Sequence, residues 1–81
     1  MNKHPLSYTR EDIEKIIDKM VKIDVGDQNS NIINETVVGK LIKCDLAANG
    51  PYLPTAVHIK TKNGATREIS FSDMIQINVI E

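Results

Sequence analysis

Apolar and polar positions follow two different periods along this chain, and the change between them divides it into elements. Between residues 55 and 80 the period is two. Val57 and Ile59 alternate with His58 and Lys60, Ile69 and Phe71 with Glu68 and Ser70, and Ile75, Ile77 and Val79 with Gln76 and Asn78. Such alternation predicts strands with one buried face. Asn63-Gly64 lies between the first two runs, and both residue types tolerate positive φ, so the pair marks a hairpin. A two-residue loop would set Ile59 opposite Glu68 and His58 opposite Ile69, mixing charged and apolar groups on both faces. A three-residue loop of Lys62, Asn63 and Gly64, a type I turn closed by Gly64 in the left-handed region, sets Val57 opposite Ile69, Ile59 opposite Arg67 and His58 opposite Glu68. The second register keeps the apolar residues together and is the one expected, because a slip of one residue would turn the whole apolar set to solvent. It leaves Arg67 at the end of the apolar face, its stem along the rim and its head in water. Ser72-Asp73 then offers side-chain oxygens for a single 3₁₀ turn before the last strand.

Nearer the N-terminus the period is helical. Thr9 is placed to cap a helix, with Asp12 at the third position as its reciprocal partner, and Tyr8 and Ile13 are spaced as a hydrophobic staple. Ile13, Ile16, Ile17 and Met20 recur at i, i+3, i+4 and i+7, and Glu11 with Lys15 forms a supporting pair. These signals predict a helix over 10–20 that lays its stripe on the sheet. From Val21 the period drops to two, through Ile23 and Val25, and a first strand begins. Residues 26–31, GDQNSN, read as an exposed turn. The next strand, over 32–44, is long and bent: Val38 and Ile42 fall on one parity, Val37 and Leu41 on the other, and a bulge or kink at Gly39 would reconcile them. An irregular loop over 45–54 follows, with Tyr52 set among prolines. The predicted fold is α+β but mainly β: an N-terminal helix followed by a five-stranded, strongly bent antiparallel sheet or small SH3-like barrel. Residues 1–8 are expected as a flexible leader, and 9–81 as one domain.

Composition narrows the class. Eighty-one residues with a formal net charge of −1 make one small domain, whose chain buries only about 60–65% of its unfolded surface. The single Cys44 excludes an internal disulfide and suits a reducing compartment. With no apolar stretch approaching membrane-spanning length, a cytoplasmic protein without membrane association is expected.

The order of elements resembles the SH3-like or Sm-like small barrel. Within that class, the strand opened by Gly39-Lys40-Leu41-Ile42 and the closing segment Ile69-Ser70-Phe71-Ser72-Asp73-Met74-Ile75, with its Phe71-x-Asp73 corner, resemble the C-terminal part of YolD-like proteins over roughly residues 9–79. The Rho-binding antiterminator family has a similar layout. Those likenesses imply a small barrel, and the second implies that such barrels serve as protein-binding regulators.

No set of residues carries a recognisable catalytic signature. His58 opposite Glu68, with Ser70 diagonal to both, has the residue types of a hydrolytic triad but lies on an open strand face without a glycine-rich oxyanion loop. Two histidines far apart in sequence and one cysteine lack metal-ligand spacing, so no metal or cofactor is expected. Cys44, at a strand end, reads as a small buried apolar residue. The expected function is therefore non-enzymatic: a small binding module acting as a protein-binding regulator, adaptor or inhibitor. Tyr52, His58, Lys60, Lys62 and Arg67 are its candidate contacts, and a homodimer is one form of partner. The alternative is a single-stranded nucleic-acid-binding protein using the basic strand half, Lys40, Lys43, Lys60, Lys62 and Arg67. Few aromatics interleave those cations, as base stacking would require.

Overall fold

A computed structural model of the chain describes residues 8–48 and 53–80. Helix α1 (Arg10–Glu14) precedes five strands: β1 (Met20–Asp27), β2 (Ile32–Leu46), β3 (Pro54–Lys60), β4 (Thr66–Ser70) and β5 (Met74–Val79), with a 3₁₀ turn over Phe71–Asp73 before β5. Among the described residues the strands form one antiparallel sheet in the order β4-β3-β2-β1-β5, which is not closed into the expected barrel.

The hairpin β3–β4 has the expected register: Val57 faces Ile69, His58 faces Glu68 and Ile59 faces Arg67. Its loop is closed by the Thr61 amide donating to Ala65 O at 2.9 Å and the Gly64 amide to Thr61 O at 3.0 Å. Gly64 has φ 84, which a residue with a Cβ adopts only at a cost. The 3₁₀ corner also forms, but its capping oxygen is that of Ser70, which accepts from the Ser72 amide.

The helix is much shorter than the stripe implied. The capping box is present in both directions, with Thr9 N donating to Asp12 Oδ2 at 2.9 Å and Asp12 N to Thr9 Oγ1 at 3.2 Å, yet α1 ends at Glu14. Its intrahelical ion pair joins Arg10 to Glu14. Strand pairing takes over downstream: the Asp18 amide donates to Leu41 O at 2.7 Å and the Leu41 amide to Lys19 O at 3.0 Å, with Asp18 at φ 72. Two β-branched residues in a row, Ile16 and Ile17, weaken continuation of the helix just there. The stripe nevertheless reaches the core, through fully buried Ile13 and partly buried Ile16 and Ile17. Tyr8, counted with the leader in sequence, also packs on the core, edge-on to Phe71 with ring centroids 6.4 Å apart.

Parity along β2 is corrected at a different residue from the one expected. Val37, Gly39 and Leu41 all face inward, and the irregularity against β3 falls after Leu41, where Ile42 is the extra residue between the pairs Leu41–Ile59 and Lys43–His58. Gly39 serves instead as the point of closest approach: a Cβ there would lie 2.4 Å from Lys60 O and 2.6 Å from Ile59 Cγ2. The close approach of β3 to β2 at this point therefore needs a residue with no side chain. The last strand departs from strict alternation too. Ile75 is an extra residue between the pairs Val25–Met74 and Asp24–Gln76, so Met74 and Ile77 are the buried positions while Val79 is exposed. At the opposite end Gln28 anchors the β1–β2 turn, donating to Phe71 O and Met74 O.

The core unites every element: Ile13, Val21, Ile23, Val37, Leu41, Val57, Ile59, Ile69, Phe71, Met74 and Ile77 form one buried cluster. Among the described residues no helix is long and apolar enough to cross a membrane.

Candidate functional site

Alternation along β2, β3 and β4 sorts the polar side chains of this half of the sheet onto two faces. Val57, Ile59 and Ile69 point into the core, so His58, Lys60, Thr66 and Glu68 point outward. Because Ile42 is bulged, Lys43 and Asp45 of β2 join the same outer face while Cys44 turns inward. Side by side across three strands lie Lys43, His58 and Glu68, and in the next row Lys40, Lys60 and Thr66.

His58 is the centre of this face. Its side chain is 20% exposed, and Nε2 lies 3.0 Å from Asp45 Oδ2 and 3.9 Å from Glu68 Oε2. Lys43 Nζ approaches the other oxygen of Asp45 at 3.9 Å. The hydrogen bond to His58, opposed by desolvation and helped by the charges of His58 and Lys43, holds the Asp45 carboxyl below its ordinary range. Among the described residues Asp45, His58 and Glu68 are a group of metal-ligand types whose ligand atoms all lie within 4.8 Å of one another.

The triad-like set is not assembled as one. Ser70 Oγ lies 2.8 Å from Ser72 Oγ and accepts from the Ser72 amide, so it is engaged in the 3₁₀ corner. His58 takes Asp45, not Glu68, as its near partner. Sequence reasoning left Asp45 in a loop because it ended β2 at Cys44. The signal that could have found it is the register of β3 extended backward through the bulge, which carries pairing to Asp45–Ala56.

Arg67 does not share the face of the lysines. It shares the parity of Ile69 near the start of β4, with its head exposed at the rim, and makes a two-pronged contact with Glu35, at 2.7 and 3.0 Å. Glu35 occupies the same inner parity two residues before Val37. The contact bridges β4 and the first half of β2, which are not neighbours in the sheet. Each partner shifts the other: the Arg67 hydrogen bond lowers the Glu35 carboxyl from its ordinary range, and Glu35 raises the guanidinium. Of the expected basic set, Lys40, Lys43 and Lys60 share the outer face, Lys62 lies in the exposed hairpin loop, and Arg67 is committed elsewhere. Tyr52 lies outside the described residues.

Cys44 is half-buried against the core, its thiol donating to Asp45 O at 3.4 Å. Burial, and then the Asp45 charge, push the thiol up to about 11, which leaves it protonated and unreactive near neutrality.

Compared with known proteins, the chain matches no family model, no curated protein and no solved structure.

Proposed function

We propose that this chain is a non-enzymatic, SH3-like or Sm-like binding module that acts by engaging another protein as a regulator, adaptor or inhibitor. The observation that carries the reading is the free edge of β5. Among the described residues the strand lies at one margin of the sheet with β1 as its one ladder partner, and its sequence MIQINV has no charged residue and no proline. Sheet edges are ordinarily guarded by lysine, proline or inward charge, because exposed backbone donors and acceptors template a further strand. Two of its carbonyls already accept side-chain bonds, Met74 O from Gln28 and Ile77 O from Tyr8, but an edge without charge or proline that runs out through exposed Val79 and Ile80 suits the addition of an extended segment from a partner, with main-chain hydrogen bonds providing affinity. The outer-face residues His58 and Lys60, with Lys62 in the adjoining loop, offer a second, polar surface on the β3–β4 half of the sheet, at the other end of the strand order from β5, and Tyr52 offers an amphipathic ring.

The test is capture of a partner from the native host by the immobilised chain, compared with a Val79→Lys variant that guards the edge and with Tyr52→Ala. A partner recovered reproducibly by the wild type and lost with Val79→Lys is the expected result. Recovery of nothing reproducible, or of a partner indifferent to both variants, overturns the reading.

Nucleic-acid binding is favoured by one observation of its own. Lys40 and Lys60 sit directly opposite each other on the outer face, an arrangement of like charges that costs stability and that a phosphate between them would relieve. Binding of a single-stranded oligonucleotide at low salt, weakened by Lys40→Ala with Lys60→Ala, would select this alternative, since phosphate contacts are strongest there. The commitment of Arg67 to Glu35 takes away the fifth cation of that patch.

A further inference from the structure

The cluster at the centre of the outer face brings two carboxylates onto His58, an arrangement that goes beyond the use of His58 as a polar contact. We propose that Asp45, His58 and Glu68 form a binding site for a zinc-like divalent transition-metal ion, with His58 Nε2, one Asp45 oxygen and one Glu68 oxygen as ligands and water in the remaining position.

Chemistry and spacing both support the assignment. One neutral imidazole with two carboxylates is a borderline donor set of the kind zinc accepts, and two carboxylates balance the charge of a dication. A tetrahedral ion with bonds of about 2.0–2.2 Å has ligand-to-ligand edges of about 3.3–3.6 Å. The observed separations from Nε2, 3.0 Å to Asp45 and 3.9 Å to Glu68, fall either side of that edge, and the three ligand atoms lie within 4.8 Å of one another. Small side-chain rotations suffice to equalise them. The three ligands come from three adjacent strands, β2, β3 and β4, whose ladder fixes the spacing of their Cα atoms. The central ligand is also the least exposed, at 20% against 36% for Asp45 and 61% for Glu68. The histidine thus presents a defined nitrogen, and the outer carboxylates are free to close on an ion. Lys43 opposes the site only through the second oxygen of Asp45, and its side chain is 68% exposed and can swing away. Separation in sequence hid this set: 45, 58 and 68 follow no ligand spacing, because the strand register, not a local motif, brings them together.

The competing description is an imidazolium bridging two carboxylates with no affinity for metal, and one experiment separates the two. Zinc chloride is titrated into the full chain by calorimetry in a non-coordinating buffer, and the His58 ring resonances are followed by NMR. Expected are one zinc per chain in the micromolar range, a shift of the His58 ring signals on addition, and a loss of about tenfold or more in affinity for each of His58→Gln, Asp45→Asn and Glu68→Gln. His4→Asn and Cys44→Ser should bind as the wild type does. Absence of saturable zinc binding, binding that persists in His58→Gln or Asp45→Asn, or binding lost with His4 or Cys44 would overturn the site. Should a ligand variant fail to fold, the wild-type ring signals decide: unmoved by zinc, they overturn it equally.

Discussion

Two reversals of the chain both use a residue in the left-handed region, and they are built in opposite ways. In the β3–β4 hairpin the residue is Gly64, at φ 84, in a loop closed by its own neighbours Thr61 and Ala65. At the junction of α1 and β1 it is Asp18, at φ 72, whose amide is held by Leu41, a partner 23 positions away in the chain. The first turn is specified locally, by residues that make the required backbone cheap. The second has a local bond too, the Lys19 amide to Ile16 O at 3.1 Å, but adds a long-range one to Leu41, on a residue for which the left-handed region costs more than for glycine. The difference teaches where turn chemistry alone decides the structure and where strand pairing overrules it.

The largest expected effect tests what holds the junction. Ile13 is the buried residue of α1, and Ile13→Ala should lower stability by about 2–5 kcal/mol, measured as a reduced urea midpoint by circular dichroism. A loss well under 1 kcal/mol would mean that the junction stands without the docked helix. Next comes Gly64→Ala. A Cβ there meets nothing within 4 Å, so the cost is conformational alone, about 1 kcal/mol, and a neutral result would show that the hairpin does not depend on its local turn. Asp18→Gly should act in the reverse direction, stabilising by about 0.5 kcal/mol as relief of the left-handed conformation slightly exceeds the added freedom of the unfolded chain. Destabilisation would instead make the Asp18 side chain a positive contributor to that bend.

The smallest effect concerns Glu35 and Arg67, the contact that ties β4 to the far half of β2. Glu35 releases its proton more readily in the folded chain than in the unfolded one. The pair therefore contributes above the ordinary Glu range, near 4.3, and its contribution is lost as pH falls through the lower folded value. Glu35→Gln should flatten that acid limb of the stability profile while leaving the hairpin register unchanged. An acid limb identical to the wild type would show that the contact is not maintained in solution.

What could be read in advance follows the same division. The hairpin register, the 3₁₀ corner and the capping box depend on residues within a few positions of one another, and Asn63-Gly64, Ser72-Asp73 and Thr9 with Asp12 mark them directly, although the oxygen that caps the corner is that of Ser70. The helix was overestimated because the stripe Ile13, Ile16, Ile17 and Met20 satisfies a helical period without recording that Lys19 pairs with Leu41. Bulges at Ile42 and Ile75 change parity with no residue type to mark them, since a β-branched side chain is as common in a regular strand as in an irregular one. The trio of Asp45, His58 and Glu68 inherits that difficulty in part: the hairpin register sets His58 opposite Glu68, but Asp45 joins them only once the Ile42 bulge is placed. Gly39 was recognised as a point of distortion, though its service is to let the Lys60 carbonyl pass where a methyl group would stand.

The state of Cys44 gives the molecule a built-in clock. A thiol pushed up to about 11 and half-covered by the core reacts slowly while the end of β2 is docked, and would regain its ordinary reactivity wherever that end lifted away. The pace at which a colourless disulfide reagent turns yellow on this single thiol would report how readily the end of β2 opens, with no label added to the chain.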